Sequence, residues 1–138
     1  MKICMIGTGY VGLVSGACFA DLGNIVYCVD KDQNKIDTLN SGEIPIFEPG
    51  LKEMVKKNFG ANRLKFTVNF SHAVKNSDII FICVGTPTAR KNKSANLSYV
   101  FNVAKEISKN INKFKIIVTK STVPVTTGDK IEKIIQNK

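Results

Sequence analysis

The sequence lacks the marks of a membrane-spanning or secreted protein. None of its 138 residues belong to an apolar run long enough to cross a bilayer. The N-terminus leads directly into an apolar segment, without a basic lead or a cleavage site. The composition, with 43% hydrophobic and 22% charged residues, is ordinary for a soluble globular domain. We therefore predict a cytoplasmic protein that makes no contact with a membrane.

Cysteine and histidine are too few and too scattered to predict a metal site. The four cysteines form no C-x-x-C pair, and the single histidine, His72, stands at ligand spacing from none of them. Cys4, Cys28 and Cys83 fall in predicted strands and Cys18 in a predicted helix, which indicates reduced thiols. We expect no metal ion, no disulfide, and a surface position for His72.

Arginine is nearly absent, although the formal net charge is +9. Only Arg63 and Arg90 contribute to the 20 basic residues, and the other 18 are lysines scattered along the chain. Nucleic-acid-binding domains gather basic residues in a patch or stripe. We therefore predict no nucleic-acid partner, and expect the positive charge to favour phosphate-bearing ligands only locally.

A glycine pattern near the N-terminus indicates a dinucleotide site. A predicted apolar strand is followed by G-x-G-x-x-G at residues 7–12. In this pattern Gly7 allows a tight turn, Gly9 lets the backbone approach a pyrophosphate, and Gly12 lets the next helix pack closely on its strand. That helix, predicted over residues 10–22, presents unpaired N–H groups to phosphate.

A carboxylate follows the second predicted strand. Asp30 stands eighteen residues after Gly12, where it can accept hydrogen bonds from both ribose hydroxyls of an adenosine. A 2′-phosphate would meet a like charge there, so we predict NAD rather than NADP. Alternatively, Asp30 caps the helix predicted over residues 31–40. Lys35, one turn further on, either reaches the same ribose or faces solvent.

The whole chain predicts one α/β domain, a Rossmann-type doubly wound parallel sheet that lacks its final strand. Strands are predicted at residues 2–6, 25–29, 64–68, 78–84 and 115–119, and helices at residues 10–22, 31–40, 51–58, 71–75, 97–109 and 126–136. The strand at 78–84 is the most apolar, as expected at the centre of a parallel sheet. We expect Asn96 to cap the fifth helix, and Thr126 with Asp129 to form a capping box on the sixth.

Hydroxyl-bearing residues follow the fourth and fifth predicted strands. Thr86 comes after the fourth strand, and Ser121 and Thr122 come after the fifth. In open α/β sheets, ligands bind beyond the carboxyl ends of the strands, where the strand order reverses. We therefore expect Thr86 to face the cofactor. The basic, polar sequence of residues 89–95 has no helix or strand periodicity and predicts a mobile surface loop.

Five stretches of the sequence resemble, in order, the N-terminal domain of the UDP-glucose 6-dehydrogenase family and its GDP-mannose dehydrogenase relatives. They are residues 1–14, 29–30, 47–51, 84–87 and 120–125. The resemblance implies two oxidations, in which UDP-glucose becomes UDP-glucuronate while two NAD are reduced. It also implies a catalytic cysteine in a later sugar-binding domain, which forms a thiohemiacetal and then a thioester that water hydrolyses.

The resemblance also implies a set of site residues. The implied cofactor-binding residues are Gly7, Gly9, Tyr10, Val11, Gly12, Asp30, Lys35, Val84, Gly85, Thr86, Pro87, Ser121 and Thr122. Val11, Asp30 and Lys35 would bind the adenosine half, and Thr86 the pyrophosphate and nicotinamide side. Thr122, the one catalytic candidate, would bind both the cofactor and the water used in hydrolysis.

The sequence departs from the family pattern at two residues and in length. Thr126 stands where the family usually has glycine, and Asn96 where aspartate is usual. We expect residues 1–138 to form the NAD-binding domain only, with the UDP-sugar and catalytic-cysteine domain absent. The chain alone is then expected to bind NAD without oxidising UDP-glucose. The full-length form is expected to be a homo-oligomer that acts on a nucleotide sugar.

Two other classes of protein remain open from the sequence. One is a different two-domain NAD oxidoreductase, such as a 6-phosphogluconate or hydroxyacyl-CoA dehydrogenase type, against which the stretches at 47–51 and 120–125 count. The other is a noncatalytic nucleotide-binding module. A folded domain without cofactor affinity is a third outcome.

Overall fold

Strands and helices alternate along the chain in the computed structural model, which describes residues 1–88 and 95–136. The strands are β1 (Lys2–Ile6), β2 (Ile25–Val29), β3 (Leu64–Thr67), β4 (Ile79–Ile82) and β5 (Ile116–Thr119). The helices are α1 (Tyr10–Asp21), α2 (Gln33–Asn40), α3 (Leu51–Gly60), α4 (Phe70–Lys75), α5 (Ser98–Asn110) and α6 (Thr127–Gln136).

The five strands form one parallel sheet in the order β3-β2-β1-β4-β5. This order confirms the predicted Rossmann-type arrangement. The chain first builds the sheet outward from β1 through β2 to β3, and then returns to the other side of β1 with β4. The carboxyl ends of β1 and β4 are therefore neighbours at the reversal point, where ligands bind in such sheets.

Apolar side chains cover both faces of the sheet, because successive residues of a strand point to opposite sides. In β1, Ile3 and Met5 belong to one buried cluster, and Cys4 and Ile6 belong to another. Residues from α1, α2 and α3 complete the first cluster, and residues from α4, α5 and α6 complete the second. The sheet thus lies between two layers of helices, with its loops along two edges.

Gly16 allows α1 to pack closely on the first face. A Cβ atom added there would lie 2.7 Å from the Cys28 sulfur and 3.3 Å from Cγ of Met5. The distance to the sulfur is too short for a carbon atom, so either the buried Cys28 side chain or the helix would have to move. This packing fixes the position of the N-terminal end of α1 relative to the sheet.

In the described part of the chain, nine of the eleven predicted elements differ from the structure by one or two residues at one or both ends, and only β1 and β2 have the predicted bounds. Strand β4 ends at Ile82 rather than at residue 84, although Cys83 still donates its backbone N–H to the Ile6 carbonyl at 2.9 Å. Thr126 does not fit the predicted capping box, because its φ is +71° and an N-cap residue has extended backbone. Helix α6 begins at Thr127, whose hydroxyl donates to the Pro124 carbonyl at 2.7 Å.

The prediction that Asn96 is the N-cap residue of α5 is wrong, because Leu97 is the N-cap residue and it makes no side-chain cap hydrogen bond. Asn96 lies one residue before it. Its side-chain oxygen accepts a hydrogen bond from the N–H of Ser98 at 3.0 Å, and the helix begins at Ser98 rather than at residue 97. The mobile loop predicted over residues 89–95 falls outside the described residues except for Ala95, which forms an isolated antiparallel bridge with Thr88. Within the described ranges, no helix has the length and apolarity needed to cross a membrane.

Candidate functional site

The glycine loop joins β1 to α1 at the carboxyl edge of the sheet. Gly7 has φ +104°, and its N–H donates to the Val29 carbonyl at 2.7 Å. A Cβ atom on Gly7 would lie 2.8 Å from the Cys83 carbonyl oxygen, and one on Gly12 would lie 1.8 Å from the Gly7 carbonyl oxygen. Both glycines are therefore required for the protein's own packing, as the pattern predicts.

Gly9 differs from the other two glycines of the pattern. It is the N-cap residue of α1, and a Cβ atom added there would have no protein atom within 4 Å. The first intrahelical hydrogen bond runs from the Leu13 N–H to the Gly9 carbonyl at 2.9 Å. The backbone N–H groups of residues 10–12 therefore have no carbonyl partner within the helix. No acidic side chain stands in this first turn. The loop thus offers N–H donors and open space to an anion such as a pyrophosphate.

Asp30 is bound directly to the glycine loop. Its Oδ2 accepts hydrogen bonds from the Thr8 N–H at 2.9 Å and the Thr8 hydroxyl at 2.8 Å, and the Lys35 ammonium lies 3.4 Å away. Its Oδ1 accepts one bond, from the N–H of Asp32 at 3.2 Å. The Asp30 side chain is 14% exposed, and Thr8 is fully buried.

These contacts keep Asp30 ionised. Partial burial alone would raise its pKa, but the hydrogen bonds from Thr8 and Asp32 and the charge of Lys35 outweigh burial, so the pKa lies below its ordinary value. A carboxylate in this state accepts hydrogen bonds and donates none. It therefore suits ribose hydroxyls and opposes a second anion.

The alternative role of Asp30 as the cap of α2 is wrong. Asp32 is the N-cap residue, and its side chain accepts a hydrogen bond from the Lys35 N–H at 3.2 Å. Asp30 is consequently committed to the glycine loop. The sequence pattern did not single out Thr8, because it occupies a variable position of G-x-G-x-x-G and its partner lies 22 residues away.

The loops after β4 and β5 come together beside the glycine loop. The Thr86 hydroxyl donates to the Thr122 carbonyl at 3.0 Å, and the Ser121 hydroxyl donates to the Val84 carbonyl at 2.7 Å. The two hydroxyl-bearing segments predicted from the sequence therefore meet at the expected edge. Their contact with the glycine loop comes through Cys83, whose backbone lies against Gly7.

Tyr10 connects α1 to the segment that precedes α3. Its hydroxyl donates to the Phe47 carbonyl at 3.1 Å and to the Glu48 carboxylate. The hydrogen bond to Glu48 raises the pKa of Tyr10 above its ordinary value. The side chain of Tyr10 is thus engaged with the protein, while its backbone stands in the first turn of α1. The sequence pattern did not predict this link.

The four thiols are free, and three are unsuited to nucleophilic or metal chemistry. Burial raises the pKa of Cys4 to about 12 and that of Cys83 to about 11, and it raises the pKa of Cys28 further still. Cys18 is exposed on the surface of α1. Within residues 1–88 and 95–136, no group of three or more His, Cys, Asp or Glu side chains could hold a metal ion.

Comparison with known proteins identifies a matching family over the whole chain. The model of the NAD-binding domain of the UDP-glucose/GDP-mannose dehydrogenase family matches residues 1–138. The UDP-glucose 6-dehydrogenase of Rhizobium meliloti (strain 1021) is 57% identical over 136 residues, which cover 99% of this chain and 31% of that protein. The UDP-glucose 6-dehydrogenase TuaD of Bacillus subtilis (strain 168) is 53% identical over 98% of this chain and 29% of its own length. The chain thus spans about three tenths of these relatives.

Solved structures with the same fold include enzymes of the same kind. A GDP-mannose dehydrogenase from Pseudomonas aeruginosa, solved as a ternary complex, superposes with a TM-score of 0.92 at 38% identity, covering 99% of this chain and 32% of that one. A UDP-glucose dehydrogenase from Pyrobaculum islandicum superposes with a TM-score of 0.92 at 34% identity and the same coverage.

Proposed function

Because the chain belongs to the UDP-glucose/GDP-mannose dehydrogenase family and forms its NAD-binding domain, we propose that it serves an enzyme that oxidises UDP-glucose to UDP-glucuronate. The observation that supports this reaction is the 57% identity to a UDP-glucose 6-dehydrogenase over nearly the whole chain. The similar GDP-mannose dehydrogenase structure is 38% identical. UDP-glucose is therefore favoured over GDP-mannose as the substrate of the whole protein.

The glycine loop and Asp30 are proposed to bind the adenosine diphosphate part of NAD. The backbone N–H groups at the start of α1 would donate to the pyrophosphate across the open side of Gly9. The Asp30 carboxylate would accept hydrogen bonds from the ribose hydroxyls, chiefly through Oδ1. Its Oδ2 already contacts the Thr8 N–H, the Thr8 hydroxyl and the Lys35 ammonium. Lys35 and the exposed side chain of Val11 would border the same ribose.

The loops after β4 and β5 are proposed to bind the nicotinamide side. NAD held between these loops would supply the hydride acceptor for oxidation of the sugar alcohol. The hydrogen bond from Thr86 to the Thr122 carbonyl holds the two loops together. The Thr122 hydroxyl is then proposed to contact both the cofactor and the water used in hydrolysis, since a hydroxyl can donate and accept at once. The remaining residues proposed to contact the cofactor are Val84, Gly85, Pro87 and Ser121.

The nucleophilic cysteine of the reaction is proposed to be none of the four in this chain. Cys4, Cys28 and Cys83 are buried, and their raised pKa values keep them protonated at neutral pH. Cys18 lies in the middle of α1, away from its N-terminal end. We expect the 138-residue chain to bind NAD and to leave UDP-glucose unoxidised when it is assayed alone.

A calorimetric titration of the chain with NAD and with NADP tests the cofactor proposal. We expect saturable binding of NAD and none of NADP. Asp30→Ala should weaken NAD binding by roughly tenfold or more, because it removes a charged hydrogen-bond acceptor worth about 1.5–3 kcal/mol. Asp37→Ala is the matched control, since Asp37 is an exposed carboxylate that accepts a hydrogen bond from Gln33 on the same helix. Equal NAD affinity in both variants would contradict the role of Asp30.

Gly9→Ala separates ligand contact from folding. No protein atom lies within 4 Å of the added Cβ, so we expect the melting temperature to stay nearly unchanged. The methyl group would lie on the side proposed for the pyrophosphate, so NAD binding should be lost. Normal NAD binding by this variant would place the pyrophosphate elsewhere.

A further inference from the structure

The N-terminal end of α5 lies near the carboxyl ends of the central strands. Val100, in the first turn of α5, belongs to the same buried cluster as Ile6 of β1, Val29 of β2 and Ile82 of β4. Asp30 follows Val29 directly. Because α5 follows β4 of the parallel sheet along the chain, its first turn returns from the carboxyl edge of the sheet, the edge at which Asp30 lies.

An exposed aromatic ring stands at this place. Tyr99 is 46% exposed, and the ammonium of Lys31 lies over its ring, 5.3 Å from the centroid. Lys31 is the residue directly after Asp30. A side chain beside the carboxylate thus reaches the face of Tyr99, which is direct evidence that the ring and the loop after β2 are neighbours.

The chemistry of adenosine places its base in the same region. The adenine is attached to C1′ of the ribose, next to the carbon that bears the 2′-hydroxyl. If Asp30 accepts that hydroxyl, the base extends from the ribose within a few ångströms of the loop after β2. Adenine has a flat π face that stacks on aromatic side chains.

We propose that the adenine of NAD stacks on the exposed face of Tyr99, in the place where the Lys31 ammonium lies in this structure. The inference rests on the proposed function, since it requires Asp30 to bind the ribose. Lys31 is exposed and its chain is flexible, so it can move aside when the base stacks. Of the other exposed aromatic residues, Phe114 lies two residues before β5, at the amino ends of the strands. Phe59 lies near the end of α3, and Phe47 is joined to Tyr10 by a hydrogen bond from the Tyr10 hydroxyl to its carbonyl.

Titrations with NAD and with AMP test this inference on Tyr99→Leu, Tyr99→Phe and the wild-type chain. We expect Tyr99→Leu to lower the affinity for both ligands by about tenfold, the equivalent of about 1.4 kcal/mol. Tyr99→Phe keeps the ring and should bind within about twofold of wild type. Phe114→Leu is the matched control, because it removes an aromatic ring that is 88% exposed on the opposite edge.

Proton NMR gives a second readout that does not depend on a variant. In the wild-type chain, the H2 and H8 protons of bound adenine should move upfield through the ring current of Tyr99, as should those of AMP. The upfield shift should persist in Tyr99→Phe and shrink in Tyr99→Leu. Circular dichroism melts establish that each variant is folded.

The outcomes separate this inference from the cofactor proposal. If the wild-type chain binds NAD and Asp30→Ala weakens it, but Tyr99→Leu binds NAD and AMP as wild type does, the stacking role of Tyr99 is refuted alone. An adenine without an upfield shift in the wild-type complex refutes it too. If the folded wild-type chain binds neither NAD nor AMP, the cofactor proposal and the stacking role both fail.

Discussion

Replacing Thr8 with valine removes one hydrogen-bond donor from the Asp30 carboxylate and leaves the volume of the buried side chain nearly unchanged. The lost bond is 2.8 Å long and its acceptor is charged. Hydrogen bonds to charged groups contribute about 1.5–3 kcal/mol. Because Asp30 keeps its bonds from the Thr8 N–H and from Asp32, we expect a loss near the lower end, about 1.5–2 kcal/mol. For a domain of this size that corresponds to a fall of about 5–8 °C in melting temperature.

The expected loss in Thr8→Val depends on pH in a definite direction. The folded-state pKa of Asp30 lies below its ordinary value, so its ionised form stabilises the fold above the unfolded-state pKa of about 3.9. That contribution disappears as the pH falls through the folded-state pKa. The difference between wild type and Thr8→Val should therefore be full near neutral pH and shrink below about pH 4.

Urea unfolding of wild type and Thr8→Val across this pH range measures the effect. Thr38→Val is the matched control, since the Thr38 hydroxyl donates to the carbonyl of Asn34 within α2 and not to a carboxylate. Thr38→Val should change the free energy of unfolding by less than about 0.5 kcal/mol at every pH. The reasoning is refuted if Thr8→Val matches wild type near neutral pH, or if its deficit persists undiminished in acid.

Three further variants test individual packing and hydrogen-bonding contacts of the fold. Gly12→Ala should lower the free energy of unfolding by at least about 3 kcal/mol or prevent folding, because its Cβ would lie 1.8 Å from the Gly7 carbonyl oxygen; a normal thermal melt would contradict this. Thr126→Gly should raise the free energy of unfolding by about 0.5–1 kcal/mol, because φ at this residue is +71° and threonine is strained there. An unchanged urea midpoint would show that Thr126 is not strained. Lys115→Met should lower the free energy of unfolding by about 2 kcal/mol, because the buried ammonium donates to the carbonyl oxygens of Lys75 and Ser77 at 3.1 and 2.6 Å. Urea unfolding measures this loss, and an unchanged midpoint would show that water satisfies the two carbonyl oxygens.

The parallel sheet could be predicted because its strands carry local signals. β1 and β2 are short apolar runs that end at Gly7 and Asp30, and β3 alternates apolar and polar residues. The observed order β3-β2-β1-β4-β5 is the one typical of doubly wound α/β sheets with a glycine-rich turn after the first strand. The ends of the elements were less certain, because the end of β4 at Ile82 depends on where neighbouring strands stop pairing.

Thr126 is a position where the sequence differs from the family pattern and the backbone is strained. The resemblance implied glycine at this position, and the structure gives a left-handed φ there. Glycine adopts that conformation without a steric penalty, whereas threonine does not. The sequence alone indicated a helix cap from the threonine hydroxyl, because cap patterns cannot reveal the sign of φ.

By itself, the sequence determined the alternation of strands and helices, the glycine loop, and the carboxylate that ends the second strand, since each depends on neighbouring residues. The tertiary structure decided which distant groups meet. It brought Thr8 to Asp30 across 22 residues and Tyr10 to Glu48 across 38, and it placed Lys31 over Tyr99. No local pattern encodes these contacts, because they arise only when the strands assemble and their carboxyl ends come together at one edge of the sheet.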